Sequence, residues 1–370
     1  VAYRHVFPLS LQRQGTHMNY PSKESIASLE QEGLVTVREH SLLPLRIVNY
    51  TPKAQYERAW IPDLLQCRGL VYDDQWKLVA RPLPKFFNYE EHVDGSVGPL
   101  PSGGFTVTEK YDGSLGILFK YKGQLVMATR GSFHSEQADE GMRILLERYS
   151  DEMLDALGDE HTHLLEICYP ANRIVVDYGG QSFLQWLTTI HTASGIEEPE
   201  YGKLFGGIEY VPVNSPEELK AQNRDNAEGY VLRYENGQRV KIKFEQYVML
   251  HKLVSGLDSV AIWECLKDGK NPLEALTQLP DELYQWARSE SFDITNSMMN
   301  LLDGVANDYN DIRMALGHEF TRKDFASLAS KKQHPSLLFL TLDNNPDRMY
   351  EIAWKLVKPE RRKPTNAEVC

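Results

Sequence analysis

Between about residues 40 and 250, apolar and polar positions alternate over short runs separated by turn signals. The runs are RGLVYDDQWKLVAR, GFTVTEKYDG, SLGILFKYKGQLVMATR, HLLEICYP, NRIVVDYG and GYVLRYENGQRVKIKF. Alternation with period two over such lengths predicts half-buried strands. Lys122-Gly123 and Asn236-Gly237 each predict a hairpin with a two-residue loop, Asn-Gly being the dipeptide best suited to a type I′ turn. Helices are predicted at 21–32, 136–157 and 215–222. After about residue 250 the period lengthens: Met298, Leu301, Leu302, Val305, Tyr309 and Ile312 recur at helical spacing, as do Met349, Ile352, Ala353 and Leu356. The pattern predicts an antiparallel-leaning α+β domain over 1–250 and a helical C-terminal domain over 251–370.

Composition narrows the class. The 370 residues are 42% hydrophobic and 25% charged, which fits globular domains and neither long disorder nor a membrane span. The first residues, VAYRHVFPLSLQRQG, lack the pattern of a secretory signal, so a cytoplasmic setting is expected. Cys67, Cys168, Cys265 and Cys370 stand far apart with no CxxC pair, which predicts free thiols rather than a zinc site or a disulfide framework. A formal charge of −12 disfavours non-specific coating of nucleic acid but leaves room for a local basic cleft.

Candidate chemistry starts at TEKYDGSLG, where Lys110, Asp112, Gly113 and Ser114 fall between two strands. Alone, the string also fits a solvated lysine beside an Asp-Gly turn. A nucleophilic lysine needs burial or nearby positive charge to lose its proton. With a two-residue loop at Asn236-Gly237, Lys241 would face Leu232, Lys243 would face Tyr230 and Glu245 would face Glu228. Alternation would then put Glu228, Lys241 and Lys243 on one face, with Val231, Val240, Ile242 and Phe244 on the core side. A solvated polar face is one reading of this trio. The other is a site for polyphosphate and a divalent cation, because Mg²⁺ takes oxygen ligands and keeps waters. Glu166, in an otherwise apolar run, needs a partner there. Arg68, Lys85, Phe87 and Arg130 lie in segments that could reach the same cleft.

The order of these pieces resembles the covalent nucleotidyltransferases, the superfamily of polynucleotide ligases and RNA capping enzymes, and within it the phage-type RNA ligase 1 family. KYDGS matches motif I, LLEICYP motif III, AEGYV motif IV and VKIKF motif V. CRGLVYDD, ARPLPKFFN and YPANRIVVDYG look specific to RNA ligase 1. The resemblance implies a nucleotidyltransferase (adenylation) domain and a lysyl-AMP on Lys110. It implies Lys241 and Lys243 at the triphosphate, Glu228 at Mg²⁺ or Mn²⁺, and Glu166 at the ribose or metal. It also implies Arg68 and Lys85 near the phosphates, with Phe87 and Tyr50 beside ATP. Arg130 stands where the best-known member has a lysine, keeping the charge but presenting a fork.

The implied partners are RNA with a 5′-phosphate and a 3′-hydroxyl, nicked tRNA included, with the helical domain selecting the RNA. No GxxxxGK[ST] loop occurs, so an end-healing kinase and phosphatase are expected in trans. For a phage-encoded chain the setting would be the host cytoplasm. DNA ligases and capping guanylyltransferases usually follow motif V with an OB-fold, where this chain is helical. The tetracysteine module of NAD-dependent ligases has no counterpart. A non-catalytic RNA-binding scaffold would not need Lys110, Glu166, Glu228, Lys241 and Lys243 together.

Overall fold

The structure, a computed structural model, describes residues 20–213, 215–276 and 281–364. Cys370 and the stretch read for a signal lie outside the described residues; Cys67, Cys168 and Cys265 are free thiols. The chain divides into two compact units, Val1–Met249 and Leu250–Cys370.

The first unit is built on three four-stranded sheets. Strands β1 (Val35–Glu39), β2 (Leu45–Tyr50), β3 (Arg68–Asp73) and β4 (Leu78–Ala80) form an antiparallel meander. The second sheet has the order β10 (Phe183–His191), β9 (His161–Cys168), β7 (Ser114–Tyr121), β8 (Gln124–Ala128). The third runs β5 (Phe87–Asn88), β12 (Arg239–Lys243), β11 (Gly229–Tyr234), β6 (Phe105–Lys110), antiparallel except where β5 pairs with β12. Leu45, Ile47 and Val71 of the first sheet meet Ile117, Phe119 and Leu164 of the second in one buried layer. The other face of the second sheet packs Leu165 and Ile167 against the helix Glu136–Arg148.

The Lys122-Gly123 loop is as predicted: Tyr121 pairs with Gln124, and both loop residues have positive φ, +53° and +79°. The Asn236 hairpin differs. Its loop holds three residues, closed by Tyr234 N–H to Gln238 O at 2.9 Å, with Gly237 left-handed at φ +83°. The pairing shifts by one position, so Val231 faces Lys241, Gly229 faces Lys243, and Leu232 faces Val240. Val231 therefore lies on the lysine face, while Tyr230 and Leu232 join Val240 and Ile242 in the core. Glu245 opens the helix Glu245–Gly256 rather than facing Glu228.

Two other expectations change. The predicted helix 136–157 is two helices, Glu136–Arg148 and Asp151–Asp155, because Tyr149 is extended to pack on Phe205 and Ser150 caps the second. NRIVVDYG is irregular rather than a strand. Its apolar run predicted sheet pairing, but the N–H groups of Val175 and Val176 both go to Asp112 Oδ2, each at 3.0 Å. The helices at 21–32 and 215–222 are found as Lys23–Gln31 and Pro216–Gln222.

The second unit is helical, with Ser259–Lys267, Asp281–Leu316, Arg322–Ala329, Pro335–Leu342 and Pro346–Leu356. Val305 and Ile312 pack with Phe325, Leu337 and Leu338. Among the described residues no helix is long and apolar enough to cross a membrane.

Candidate active site

Lys110 ends β6, and its register partner on β11 is Gly229, whose partner on β12 is Lys243. Residues in register across neighbouring strands share a face, so Lys110 and Lys243 project on the same side with a glycine between them. Glu228 closes the gap: Oε2 accepts from Lys110 Nζ and Oε1 from Lys243 Nζ, each at 2.7 Å. Simple alternation would send Glu228 to the core side with Tyr230. Gly229 breaks the alternation with φ +146°, and a Cβ there would lie 2.0 Å from the Ile242 carbonyl oxygen. Only glycine fits this position. The next row places Lys241 opposite Val231, on the same face.

The Lys110 turn is fixed from below. Asp112 is only 4% exposed. Its Oδ2 takes the two N–H groups of the 173–178 loop and its Oδ1 accepts from Tyr247 Oη at 2.8 Å, while its own N–H donates to Tyr178 Oη at 2.7 Å. Gly113 N–H donates to Glu166 Oε1 at 3.2 Å, and a Cβ on Gly113 would lie 2.5 Å from the Ile167 carbonyl oxygen. The turn thus sits against β9 with Glu166 beside it. Read from sequence, Asp112 was a turn residue; its role in tying three segments together, and those of Tyr178 and Tyr247, carried no local signal.

Charge states follow from these neighbours. Burial pulls the Lys110 amine down, but the charges of Glu228 and Glu166 outweigh it and raise its pKa, so the amine is held as an ammonium. The lowered amine pKa expected from sequence is not found in this state, because Glu228 faces the lysine directly. Lys241 is brought to about 7 by burial and by Lys85, Lys110, Arg68 and Lys243. Burial raises the Glu166 carboxyl to about 7 against the pull of Lys110 and Arg68.

The remaining predicted residues gather around Tyr50, the last residue of β2. The Arg130 guanidinium lies 5.4 Å from the Tyr50 ring and donates to its hydroxyl at 3.4 Å. Lys85 Nζ lies 5.5 Å from the Tyr50 ring and 5.0 Å from Phe87. Arg68 heads β3, 5.9 Å from the Phe86 ring, and Lys241 Nζ lies 5.3 Å from the same ring. Trp60, 4.6 Å from Lys85 Nζ, was not singled out in the sequence.

Among the described residues no three His, Cys, Asp or Glu side chains converge as a metal cage. The oxygen donors here are the Glu228 and Glu166 carboxylates. That set fits a cation that keeps waters and takes further oxygens from a phosphate substrate, as Mg²⁺ does.

A family model described as RNA ligase matches residues 66–203. A putative bifunctional polynucleotide kinase/RNA ligase of Autographa californica nuclear polyhedrosis virus is 28% identical over 243 residues, covering 58% of this chain and 34% of that protein. A putative RNA ligase of Thermovibrio ammonificans is 25% identical over 213 residues, covering 53% of this chain and 55% of its own length. The chain therefore spans about a third and about half of these two relatives. Among solved structures, an archaeal ATP-dependent RNA ligase superposes with TM-score 0.46 at 16% identity, covering 71% of this chain and 70% of that one. A putative ATP-dependent DNA ligase from Aquifex aeolicus gives 0.44 at 14%, covering 85% and 89%. The matched segment 66–203, which holds the Lys110 turn, Glu166 and the Arg68 to Phe87 block, is the part of the chain that is similar to the RNA ligase family.

Proposed function

We propose that the chain is an ATP-dependent RNA ligase that joins a 3′-hydroxyl to a 5′-phosphate through a lysyl-AMP on Lys110 and an AMP-capped RNA. The observation that carries this reading is the row Lys110, Gly229, Lys243 bridged by Glu228, with Lys241 and Glu166 beside it. It offers a part-buried amine, a carboxylate and two further cations in one cleft.

Lys110 Nζ attacks the α-phosphorus of ATP, and the bond to the bridging oxygen breaks to release pyrophosphate. The amine must first give up its proton, and Glu228 Oε2, at 2.7 Å, is the nearest acceptor. Adenylylation should therefore speed up as pH rises. An oxygen of the RNA 5′-phosphate then attacks the same phosphorus and Lys110 leaves, taking back a proton. The 3′-hydroxyl finally attacks the 5′-phosphorus with loss of AMP.

In this scheme Lys241 and Lys243 offset charge on the phosphates, and Arg68, Lys85 and Arg130 bind the rest of the polyphosphate. Tyr50 and Phe87 flank the nucleotide, and Glu166 holds the ribose. Mg²⁺ or Mn²⁺, held by Glu228 with Glu166 nearby, would supply charge neutralisation at the phosphates. Alignment and charge compensation then provide most of the catalysis. Repair of nicked tRNA, a setting in the cytoplasm, and a healing kinase and phosphatase acting in trans complete the proposal. The domain pair 1–250 and 251–370 belongs to it too, the helical part selecting the RNA. Deleting 255–370 should then change the preference between nicked tRNA and plain oligonucleotides, and an unchanged preference would remove that role.

The test of the activity is incubation with α-labelled ATP or GTP and Mg²⁺, followed by a chase with 5′-phosphorylated RNA or nicked DNA. Label from ATP on the wild type, absent from Lys110→Ala and chased into RNA, is the expected result. Label from GTP would indicate capping, and transfer to nicked DNA a DNA ligase. No label at all would leave a non-catalytic RNA-binding scaffold.

A further inference from the structure

Lys85 differs from Lys110 and Lys243 in how its charge is held. Lys110 and Lys243 each pair with Glu228, whereas among the described residues no carboxylate forms a salt bridge with Lys85. Its ammonium instead sits among three rings, 4.6 Å from Trp60, 5.0 Å from Phe87 and 5.5 Å from Tyr50. Aromatic faces attract a cation without cancelling its charge, and indole does so best. The rings also brace each other. Tyr50 meets Trp60 edge to face with centroids 5.2 Å apart and an interplanar angle of 86°, and Trp60 meets Phe87 at 5.9 Å and 70°.

The backbone under this cage is equally constrained. Lys85 N–H donates to the Leu65 carbonyl at 2.7 Å. Trp60 follows Arg58, which is left-handed at φ +51°, and Trp60 N–H closes a tight turn on the Arg58 carbonyl at 2.8 Å. The Trp60 side chain itself packs against the buried layer of the first sheet.

We propose that Trp60 is a positioning residue that holds the Lys85 ammonium on its indole face, ready for the polyphosphate of the nucleotide, and so sets how tightly that polyphosphate binds. This deepens the adenylylation reading and rests on it for the nucleotide, but not for the polyanion. Arg130 and Arg68 flank the same Tyr50, so three cations meet around one set of aromatic rings, with Glu91 acting on Lys85 and Glu166 on Arg68 but no carboxylate in salt-bridge contact with Lys85 among the described residues. A polyanion is the complement of such a cluster. Burial pulls the Lys85 pKa down; the charges of Tyr50 and Glu91 oppose the effect and those of Arg68 and Arg130 add to it, with a net downward shift. The ring faces oppose that loss of charge, so removing Trp60 should weaken binding more at higher pH.

The experiment is calorimetric titration of the full chain with inorganic tripolyphosphate, from pH 7 to 9. The proteins are wild type, Trp60→Phe, Trp60→Leu, Lys85→Met and the Trp60→Leu/Lys85→Met double variant. Trp60→Leu should weaken binding about tenfold and Trp60→Phe about threefold, as expected for loss or weakening of a partly desolvated cation–π contact. The Trp60 effect should vanish in the Lys85→Met background. Equal losses with and without Lys85, or a Trp60→Leu protein that binds like wild type, would overturn the proposal. So would a wild type that does not bind tripolyphosphate. If Trp60→Leu fails to fold, Trp60→Phe with and without Lys85→Met gives the same cycle. Because the readout needs no catalysis, a wild type that takes no label from ATP would sink the ligase reading while this cycle still decides the role of Trp60.

Discussion

Two carboxylates engage pairs of cations on one face of the β5–β12–β11–β6 sheet, with opposite consequences. Glu228 lies between Lys110 and Lys243, one lysine to each oxygen. Two rows along, Arg233 and Arg239 face each other, and Glu197 from the segment after β10 engages both. Arg239 binds it as a fork, Nη1 to Oε1 at 3.0 Å and Nη2 to Oε2 at 2.6 Å; Arg233 Nε reaches both oxygens at 3.2 Å, and Thr188 Oγ1 donates at 2.9 Å. Burial pushes the Glu197 carboxyl up, but the two arginines pull harder and bring it to about 2. A guanidinium fork is planar, permanently charged and matched to a carboxylate, whereas an ammonium is a point charge on a flexible stem that can give up its proton. The same charge pattern thus makes a fixed clasp with arginines and, in the proposed mechanism, an exchangeable site with lysines.

The largest expected effect separates the two. Lys110→Ala should abolish adenylylation, read as the loss of an AMP mass increment on the intact protein. It should leave the fold in place, because Glu228 keeps its 2.7 Å pair with Lys243. A variant that still gains AMP would place the nucleophile elsewhere. Glu197→Gln should do the reverse, costing about 3 kcal/mol of unfolding free energy at pH 7, an upper figure for a carboxyl held this far below its usual range. Labelling per folded molecule should stay within about threefold, as Glu197 touches none of the proposed phosphate ligands.

The sign of the pH dependence checks the clasp. Because folding lowers the Glu197 pKa from 4.5 to about 2, its stabilisation is present above about pH 4.5 and is lost as pH falls toward 2. The difference in unfolding free energy between wild type and Glu197→Gln should shrink over that window. A constant difference would mean that the clasp works through shape rather than charge.

A subtler change exchanges one kind of pairing for the other. Lys243→Arg keeps the charge and offers Glu228 a fork. It should leave thermal stability equal or higher and slow adenylylation about tenfold or more, since the carboxylate becomes a fixture. Full activity in this variant would break the contrast between the two carboxylates.

How far all this was legible in the sequence follows from the range of the interactions. Lys241, Lys243 and Glu228 stand in one hairpin and Lys110 in a recognisable turn string 118 positions before Glu228, while the glycine that brings Glu228 onto the lysine face carries no such signal. The register of that hairpin was not legible either, since Asn236-Gly237 suits both a two-residue loop and the three-residue loop found, and one position moves Val231 to the other face. NRIVVDYG carries a strand's composition, but the buried Asp112 takes its N–H groups from 63 and 64 positions away. Trp60 and Glu197 act through contacts between segments distant in sequence, where no periodicity reports on them.

The smallest effect tests whether the lysine site is exchangeable in its free state. Lys241, brought to about 7 by burial and by Lys85, Lys110, Arg68 and Lys243, is mostly neutral at pH 8. An incoming polyphosphate favours its charged form, so binding should draw a proton from solution. Calorimetry in buffers of different ionisation enthalpy should show uptake of about half a proton at pH 7, approaching one at pH 8. Affinity should fall as pH rises past 7, and both effects should disappear in Lys241→Met. Glu166 is the competing source, since its carboxyl also lies near 7 and an approaching anion would drive it to protonate. Uptake that survives Lys241→Met but not Glu166→Gln would transfer the titration to the carboxylate. Phosphate binding would then cancel a negative charge at the ribose side of the cleft rather than restore a positive one at the phosphates.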